Sequence, residues 1–166
     1  MFKEISILLV EDNIETQEYM KFLLQEECKE LFFAYNGIEG IAKYKAYKPD
    51  LIITDLNMPQ MNGITMSKEI KKIDFNQAII LLTGYGDLME LQEAINVGLN
   101  AFVSKPIENI QTIVTAINTV LSNKKKVNGF ISDGIDNDSK TIEIINDILH
   151  DGNEYVDYPP YLESRK

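Results

Sequence analysis

The stretch at residues 51–59 reads Leu51-Ile52-Ile53-Thr54-Asp55-Leu56-Asn57-Met58-Pro59. Its first four residues are apolar or β-branched, which predicts a short buried strand over Leu51–Thr54. Asp55 follows that strand, and Pro59 predicts a turn that leads the chain away. Ligands of open parallel α/β sheets bind at the carboxyl ends of the strands. The position of Asp55 therefore predicts a ligand-binding crevice at this end of the sheet.

Short apolar runs recur along the chain and alternate with segments of helical periodicity. Apolar residues recur at helical spacing in Met20-Leu23-Leu24 and again in Leu88-Leu91-Ala94-Ile95. After the last run, a single helical stripe consists of Ile107, Ile110, Val114, Ile117 and Leu121. Five successive strand–helix units predict a doubly wound α/β fold whose parallel sheet is covered on both faces. The predicted strands are Ile5–Val10, Leu31–Tyr35, Leu51–Thr54, Ala78–Leu82 and Ala101–Val103.

Several of these predicted strands end in residues suited to phosphoryl chemistry. Glu11-Asp12 follow the first strand, Thr83 follows the fourth and Lys105 closely follows the fifth. Three carboxylates at one edge repel one another unless a cation lies among them, and hard oxygen ligands of this kind suit Mg²⁺. Asp55 is then a candidate nucleophile for phosphoryl transfer, with Lys105 and Thr83 as candidate partners of the phosphoryl oxygens. Taken one at a time, each of these residues is equally well explained as a helix cap or a solvated side chain.

The composition limits the class of protein. With 166 residues and 45% hydrophobic content, the chain has the size of one domain with a substantial core. The net charge of −10 disfavours direct nucleic-acid binding. No apolar run approaches the roughly 20 residues of a membrane span, and residues 1–4 lack the features of a signal peptide. The single cysteine, Cys28, excludes an internal disulfide, so a reducing cytoplasm is the expected compartment.

The composition changes after Leu121. Residues 122–126 are polar, and Asn128-Gly129 is a turn signal. We therefore predict one domain over residues 1–123 and a C-terminal tail over 124–166, with a short helix near 139–150 and an extended, Pro-rich end. Two interpretations of the tail stay open. It is either a linker to further sequence or a segment that docks on a partner or on its own domain.

The chain resembles the response-regulator receiver family, the CheY-like phosphoacceptor domains of two-component signalling. The resemblance extends from about Ile5 to Leu121, and it implies a flavodoxin-like (βα)5 fold. It rests on the order and spacing of a set of residues rather than on any one of them. That set is Glu11-Asp12, Asp55, Pro59, Gly63, Thr83-Gly84 and Ala101-Phe102-Val103-Ser104-Lys105-Pro106.

The resemblance implies a phosphoacceptor and a metal site. Asp55 accepts the phosphoryl group, Asp12 binds Mg²⁺ directly and Glu11 acts on it through water. Asp55 itself and the backbone carbonyl of Asn57 complete the expected set of protein ligands. A further hypothesis is that Asn57 and Tyr85 flank the path of an attacking water and tune the lifetime of the acyl phosphate.

The same resemblance implies a conformational switch. Lys105 and Thr83 contact the bound phosphoryl group, and the Lys105–Pro106 peptide bond is cis. Movement of Thr83 is accompanied by an inward turn of Phe102, although a core aromatic without a switching role explains Phe102 as well. The surface expected to change consists of the fourth helix (about Asp87–Val97), the fifth strand and the fifth helix.

The expected function is that of a signalling switch that catalyses only its own phosphorylation and dephosphorylation. The expected phosphoryl donor is a sensor histidine kinase or a histidine phosphotransfer protein, and the output is a protein partner rather than DNA or a membrane. A homodimer through the switching surface or the tail stays open. Two alternatives remain, a degenerate receiver that only binds partners and a Mg²⁺-dependent aspartyl-phosphate phosphohydrolase. The hydrolase usually needs a second Asp where this chain has Asn57.

Overall fold

The computed structural model describes residues 2–84, 88–107 and 109–132. The chain divides into two units, Met1–Lys124 and Lys125–Lys166. The strands are β1 (Phe2–Val10), β2 (Cys28–Ala34), β3 (Leu51–Asp55), β4 (Ala78–Thr83) and β5 (Ala101–Ser104). The helices are α1 (Ile14–Leu24), α2 (Gly37–Tyr47), α3 (Gly63–Ile73), α4 (Leu88–Val97) and α5 (Ile110–Ser132). The predicted helix near 139–150 and the extended end of the tail lie outside the described residues.

The five strands form one parallel sheet in the order β2-β1-β3-β4-β5. This confirms the predicted doubly wound α/β fold. The strand order reverses between β1 and β3, which are direct neighbours with Val10 opposite Thr54. The residues that follow these two positions, Glu11 and Asp55, therefore lie side by side at the topological switch point, where ligands bind in sheets of this type.

The core occupies both faces of the sheet. Alternate residues of β1 point to opposite faces, so Ile7 and Leu9 belong to one apolar cluster, whereas Leu8 and Val10 belong to another. The first cluster contains residues of α1 and α5, and the second contains residues of α2 and α3. Every residue of β3 and β4 is buried. This two-sided burial explains why those two strands read as continuous apolar runs rather than as alternating ones.

Four of the described helices begin with an asparagine cap, since Asn109 before α5 accepts the N–H of Thr112 at 3.2 Å. In the other three, the side chains of Asn13, Asn36 and Asn62 each accept a hydrogen bond from the backbone N–H three residues later, at 2.8–2.9 Å. Such caps satisfy backbone donors that the first helical turn leaves without intrahelical partners. In α1 the cap is Asn13 and not the preceding Asp12, so Asp12 is not needed to begin that helix.

Several predicted boundaries were wrong. β1 begins at Phe2 rather than Ile5, because Phe2 is buried and pairs with Cys28 beyond an irregularity in the ladder. The helical stripe predicted around α5 is confirmed, because Val114 and Ile117 are buried and its other three residues pack against the same cluster; Ile113 and Val120 widen that face. α5 also continues through Asn128-Gly129 to Ser132. A glycine within a helix costs only about 1 kcal/mol relative to alanine, so the turn signal there was not decisive.

Within the described ranges, no helix combines the length and the apolar character that crossing a bilayer requires.

Candidate functional site

Three carboxylates from two adjacent strands converge at the carboxyl edge of the sheet. Asp55 is the last residue of β3, and Glu11 and Asp12 directly follow β1. One oxygen of each carboxylate lies within 4.8 Å of the others. Glu11 and Asp55 are only 1% and 7% exposed, whereas Asp12 is exposed. The site therefore has a buried acidic floor and one acidic residue open to solvent.

Lys105 forms an ion pair with each of the two buried carboxylates. Its Nζ atom lies 2.6 Å from Asp55 Oδ1 and 2.7 Å from Glu11 Oε2. The backbone N–H of Lys105 donates to the carbonyl of Thr83 at 2.8 Å, which ties the residue after β5 to the end of β4. The Lys105–Pro106 peptide bond is cis. One ammonium group thus connects the ends of β1 and β3 from the far side of the site.

The local electrostatics follow from this arrangement. The pKa of Glu11 is raised, mainly because the carboxyl group is buried. The hydrogen bond from Lys105 lowers this pKa, whereas the nearby charge of Asp55 raises it. Burial alone would lower the pKa of Lys105, but its hydrogen bonds to Asp55 and Glu11 outweigh that effect and raise it. Lys105 is therefore a fixed positive charge at neutral pH.

The loop after β3 folds back on Asp55. Asp55 Oδ2 accepts a hydrogen bond from the backbone N–H of Asn57 at 3.1 Å. The N–H of Leu56 donates to the carbonyl of Leu82, and the N–H of Gly63 donates to the carbonyl of Leu56, both at 3.0 Å. A Cβ atom at Gly63 would overlap the backbone carbonyl oxygen of Asp55. Glycine is therefore required where α3 begins, because the helix start lies directly against the backbone of Asp55.

Thr83 and Phe102 lie on the side of the site formed by β4 and β5. Thr83 is 5% exposed, and its hydroxyl donates to the Gly84 carbonyl at 3.1 Å. Phe102 is half-buried and lies opposite Leu81 in the ladder. Its ring packs against an apolar cluster made up of Leu56, Ile64, Leu81 and Ala94. Phe102 thus contacts a cluster that joins the residue after Asp55 to α4. Tyr85 lies outside the described residues.

Gln17 is a site neighbour that the sequence analysis missed. Its side chain is 5% exposed, and Nε2 donates to the carbonyls of Glu11 at 3.2 Å and Ala34 at 3.3 Å. One signal could have revealed it. Gln17 stands at helical spacing from Met20 and Leu24, which are both fully buried, so it is a polar residue on the apolar stripe of α1.

The donor set fits Mg²⁺. Carboxylate oxygens from Glu11, Asp12 and Asp55 are hard ligands, and Mg²⁺ is typically held by one or two protein carboxylates together with waters and phosphate oxygens. The partial exposure of Lys105 and the exposure of Asp12 leave this edge accessible from solvent.

Comparison with known proteins identifies the family. The family model of the response regulator receiver domain matches residues 7–118. The chain is 33% identical to the chemotaxis protein CheY of Halobacterium salinarum over 116 residues, which cover 70% of this chain and 96% of that protein. It therefore belongs to the response-regulator receiver family of two-component systems, a family of signalling switches rather than metabolic enzymes.

Two further relatives extend this result. The sporulation initiation phosphotransferase F of Bacillus subtilis is 31% identical over 102 residues, which cover 61% of this chain and 82% of that protein. A crystal structure of a response regulator receiver domain protein from Clostridium thermocellum superposes with a TM-score of 0.69 at 32% identity, covering 74% of this chain and 98% of that one. The resemblance inferred from the sequence motifs is confirmed.

Proposed function

We propose that this protein is a phosphoacceptor response regulator that receives a phosphoryl group on Asp55. One observation carries the proposal. Asp55 is an almost fully buried carboxylate, 2.6 Å from the ammonium group of Lys105 and next to the acidic pair Glu11-Asp12. A relative bearing the name phosphotransferase is consistent with the same chemistry.

The proposed reaction transfers a phosphoryl group from a phosphohistidine. An oxygen of Asp55 forms a bond to phosphorus while the phosphorus–nitrogen bond of the donor breaks, and the electron pair of that bond returns to the imidazole nitrogen. The product is an acyl phosphate on Asp55. Charge is distributed over the equatorial oxygens during transfer, so the protein contributes mainly positioning and neutralisation. Lys105 is the proposed positive partner of one of these oxygens, and the Thr83 hydroxyl is the proposed donor to another.

Glu11, Asp12, Asp55 and the backbone carbonyl of Asn57 are the groups that would hold Mg²⁺. When bound, Mg²⁺ supplies positive charge to a site that otherwise combines three carboxylates with a phosphoryl group. The ammonium group of Lys105 lies within hydrogen-bond distance of both Glu11 and Asp55. Asn57 and Tyr85 are proposed to tune how long the acyl phosphate lasts.

The proposed output is a change in the surface formed by α4, β5 and α5. Phe102 connects this surface to the site, because its ring packs against a cluster that includes Leu56 beside Asp55 and Ala94 on α4. Thr83 and Phe102 are the proposed switch residues. A phosphoryl group changes the population of two conformations only if it interacts differently with each. Contact of Thr83 with the phosphoryl oxygen would supply that difference.

The proposed setting is the cytoplasm, with a sensor histidine kinase or a histidine phosphotransfer protein as donor and a protein partner as recipient of the signal. We assign residues 1–123 to the receiver domain and residues 124–166 to a linker or docking tail. In an alternative form of this proposal, the signal is passed on by homodimerisation through the α4-β5-α5 surface.

The test is an amide NMR spectrum in Mg²⁺ before and after beryllofluoride, a mimic of the phosphoryl group. Native protein and Asp55→Asn are compared. We expect shifts that spread from Asp55 to Thr83 and Phe102 in the native protein alone. A native spectrum that does not respond would overturn the proposal in favour of a degenerate receiver. Turnover of a generic phosphate ester would favour a phosphohydrolase instead.

A further inference from the structure

Gln17 connects three elements behind the acidic pair. It belongs to the second turn of α1, and its side-chain amide donates to the carbonyl of Glu11 after β1 and to the carbonyl of Ala34 at the end of β2. The Ala34 carbonyl also accepts the backbone N–H of Glu11 at 3.0 Å. The buried amide of Gln17 therefore holds Glu11 and Ala34 together at the carboxyl edge of the sheet.

The turn that carries the acidic pair is fixed from both ends. At its start, Gln17 holds the Glu11 carbonyl. At its end, the backbone N–H of Gln17 donates to the carbonyl of Asn13 at 2.9 Å, and the N–H of Asn13 donates to Glu11 Oε1 at 3.1 Å. Asp12 lies between these two anchored residues. The direction of both carboxylates thus depends on a backbone segment to which Gln17 donates two hydrogen bonds, one from its side chain and one from its backbone.

The chemistry of the side chain explains why a glutamine occupies this position. Its neutral amide supplies two N–H donors, which match two buried carbonyl acceptors. A methionine has a similar shape and no N–H donor, and a glutamate would place carboxylate oxygens against the two carbonyl oxygens. For packing alone an apolar residue would suit this stripe, since Met20 and Leu24 beside it are fully buried.

We propose that Gln17 is a positioning residue for the phosphoacceptor site. It sets the backbone at Glu11 so that Glu11 and Asp12 present their carboxylates to Mg²⁺ beside Asp55. This inference rests on the proposed function, because it assigns Gln17 a role in that same site. Partners that orient metal ligands typically contribute 10–100-fold in metal affinity, so we expect a loss of about tenfold or more when the amide is removed.

The chain contains a matched control for this effect. Gln77 is 3% exposed, and its Nε2 donates to the carbonyls of Pro49 and Ala78, both at 3.1 Å. Pro49 precedes β3 and Ala78 begins β4, so this amide lies at the opposite edge of the sheet from Asp55. Gln17 and Gln77 thus make the same two bonds to backbone carbonyls, one next to the acidic site and the other far from it.

The experiment compares native protein, Gln17→Met and Gln77→Met. The Kd for Mg²⁺ is measured by NMR titration of backbone amides, and urea unfolding is measured in EDTA. We expect both substitutions to lower the urea midpoint, while only Gln17→Met weakens Mg²⁺ binding by about tenfold or more. If Gln17→Met does not fold, Gln17→Asn takes its place, because the shorter amide can reach at most one of the two carbonyls.

A Kd within about twofold of native in the Gln17 variant would overturn the inference, as would an equal loss of affinity in both variants. Binding of Mg²⁺ by the native protein is the reference for the proposed function. If the native protein does not bind Mg²⁺, the proposed function fails, and hydrogen exchange in EDTA then decides the inference. Faster exchange of the Glu11 and Asn13 amides in Gln17→Met but not in Gln77→Met supports positioning, and unchanged exchange refutes it.

Discussion

Replacing Lys105 with methionine tests how the site holds its buried charges. In the native protein, one ammonium group lies 2.6 Å from Asp55 Oδ1 and 2.7 Å from Glu11 Oε2. Methionine keeps much of the aliphatic side chain but removes the charge and all donors. The variant therefore leaves two buried carboxylates close together without the cation that neutralises them.

The magnitude follows from burial. Removing one partner of a buried ion pair costs about 3–5 kcal/mol. The side chains of Asp55 and Glu11 are 9% and 1% exposed, but that of Lys105 is 27% exposed, which favours the lower end of the range. We expect the free energy of unfolding in EDTA to fall by about 3 kcal/mol, which corresponds to about 10 °C in Tm for a domain of this size.

Addition of Mg²⁺ should reduce the difference in the free energy of unfolding between native protein and Lys105→Met. A divalent cation among Glu11, Asp12 and Asp55 replaces the missing positive charge, and in the native protein it has to compete with Lys105 for two of those carboxylates. At a free concentration of one hundred times Kd, binding alone adds about 2.7 kcal/mol to the free energy of unfolding. We therefore expect Mg²⁺ to stabilise Lys105→Met more than it stabilises the native protein.

The assay is urea unfolding of native protein, Lys105→Met and Lys68→Met, each in EDTA and in Mg²⁺. Lys68 pairs with Glu93 at an exposed position, with side chains 44% and 50% exposed, so its loss should cost less than about 1 kcal/mol under both conditions. A loss of less than about 1 kcal/mol for Lys105→Met in EDTA would show that Lys105 does not hold these buried charges. An unchanged difference in the free energy of unfolding between Lys105→Met and native protein on addition of Mg²⁺ would show the same.

Three further predictions concern the surroundings of the site and the core. Gly63→Ala should lower the free energy of unfolding by about 2–3 kcal/mol or more, because its Cβ would overlap the backbone of Asp55. Gly98→Ala, which has a φ of 80° but whose Cβ meets open space in the described part of the chain, should lose only about 1–2 kcal/mol in the same urea assay. Burial raises the pKa of the Cys28 thiol, which donates to the Leu24 carbonyl, so its reaction with a disulfide reagent at pH 8 should be at least about tenfold slower in folded protein than in urea. Equal rates would contradict the buried position of that thiol. Tyr85→Ala should shorten the lifetime of the acyl phosphate if Tyr85 shields it from water, and an unchanged dephosphorylation rate would remove that hypothesis.

The central part of the fold was predictable because its signals are local. The continuous apolar runs of β3 and β4 reflect strands buried on both faces, and each run ends directly before or at a polar residue that begins the crevice. Asp55 and Thr83 could therefore be placed at strand ends from the sequence alone. The boundaries of β1 and α5 were less predictable, since Phe2 joins the sheet beyond an irregular ladder and α5 tolerates a glycine.

The identity of the chemical groups at the strand ends, and the alternation of strands and helices that carry them, could be read from the amino-acid sequence. These properties depend on hydrophobic periodicity and turn residues, which act over a few neighbouring positions. The contacts of Lys105 with both Asp55 and Glu11, and of the Gln17 amide with the carbonyl of Ala34, 17 residues away, appear only in the folded chain. Such contacts depend on which strands become neighbours and on how closely the helices pack against them, and no local preference of the chain specifies either.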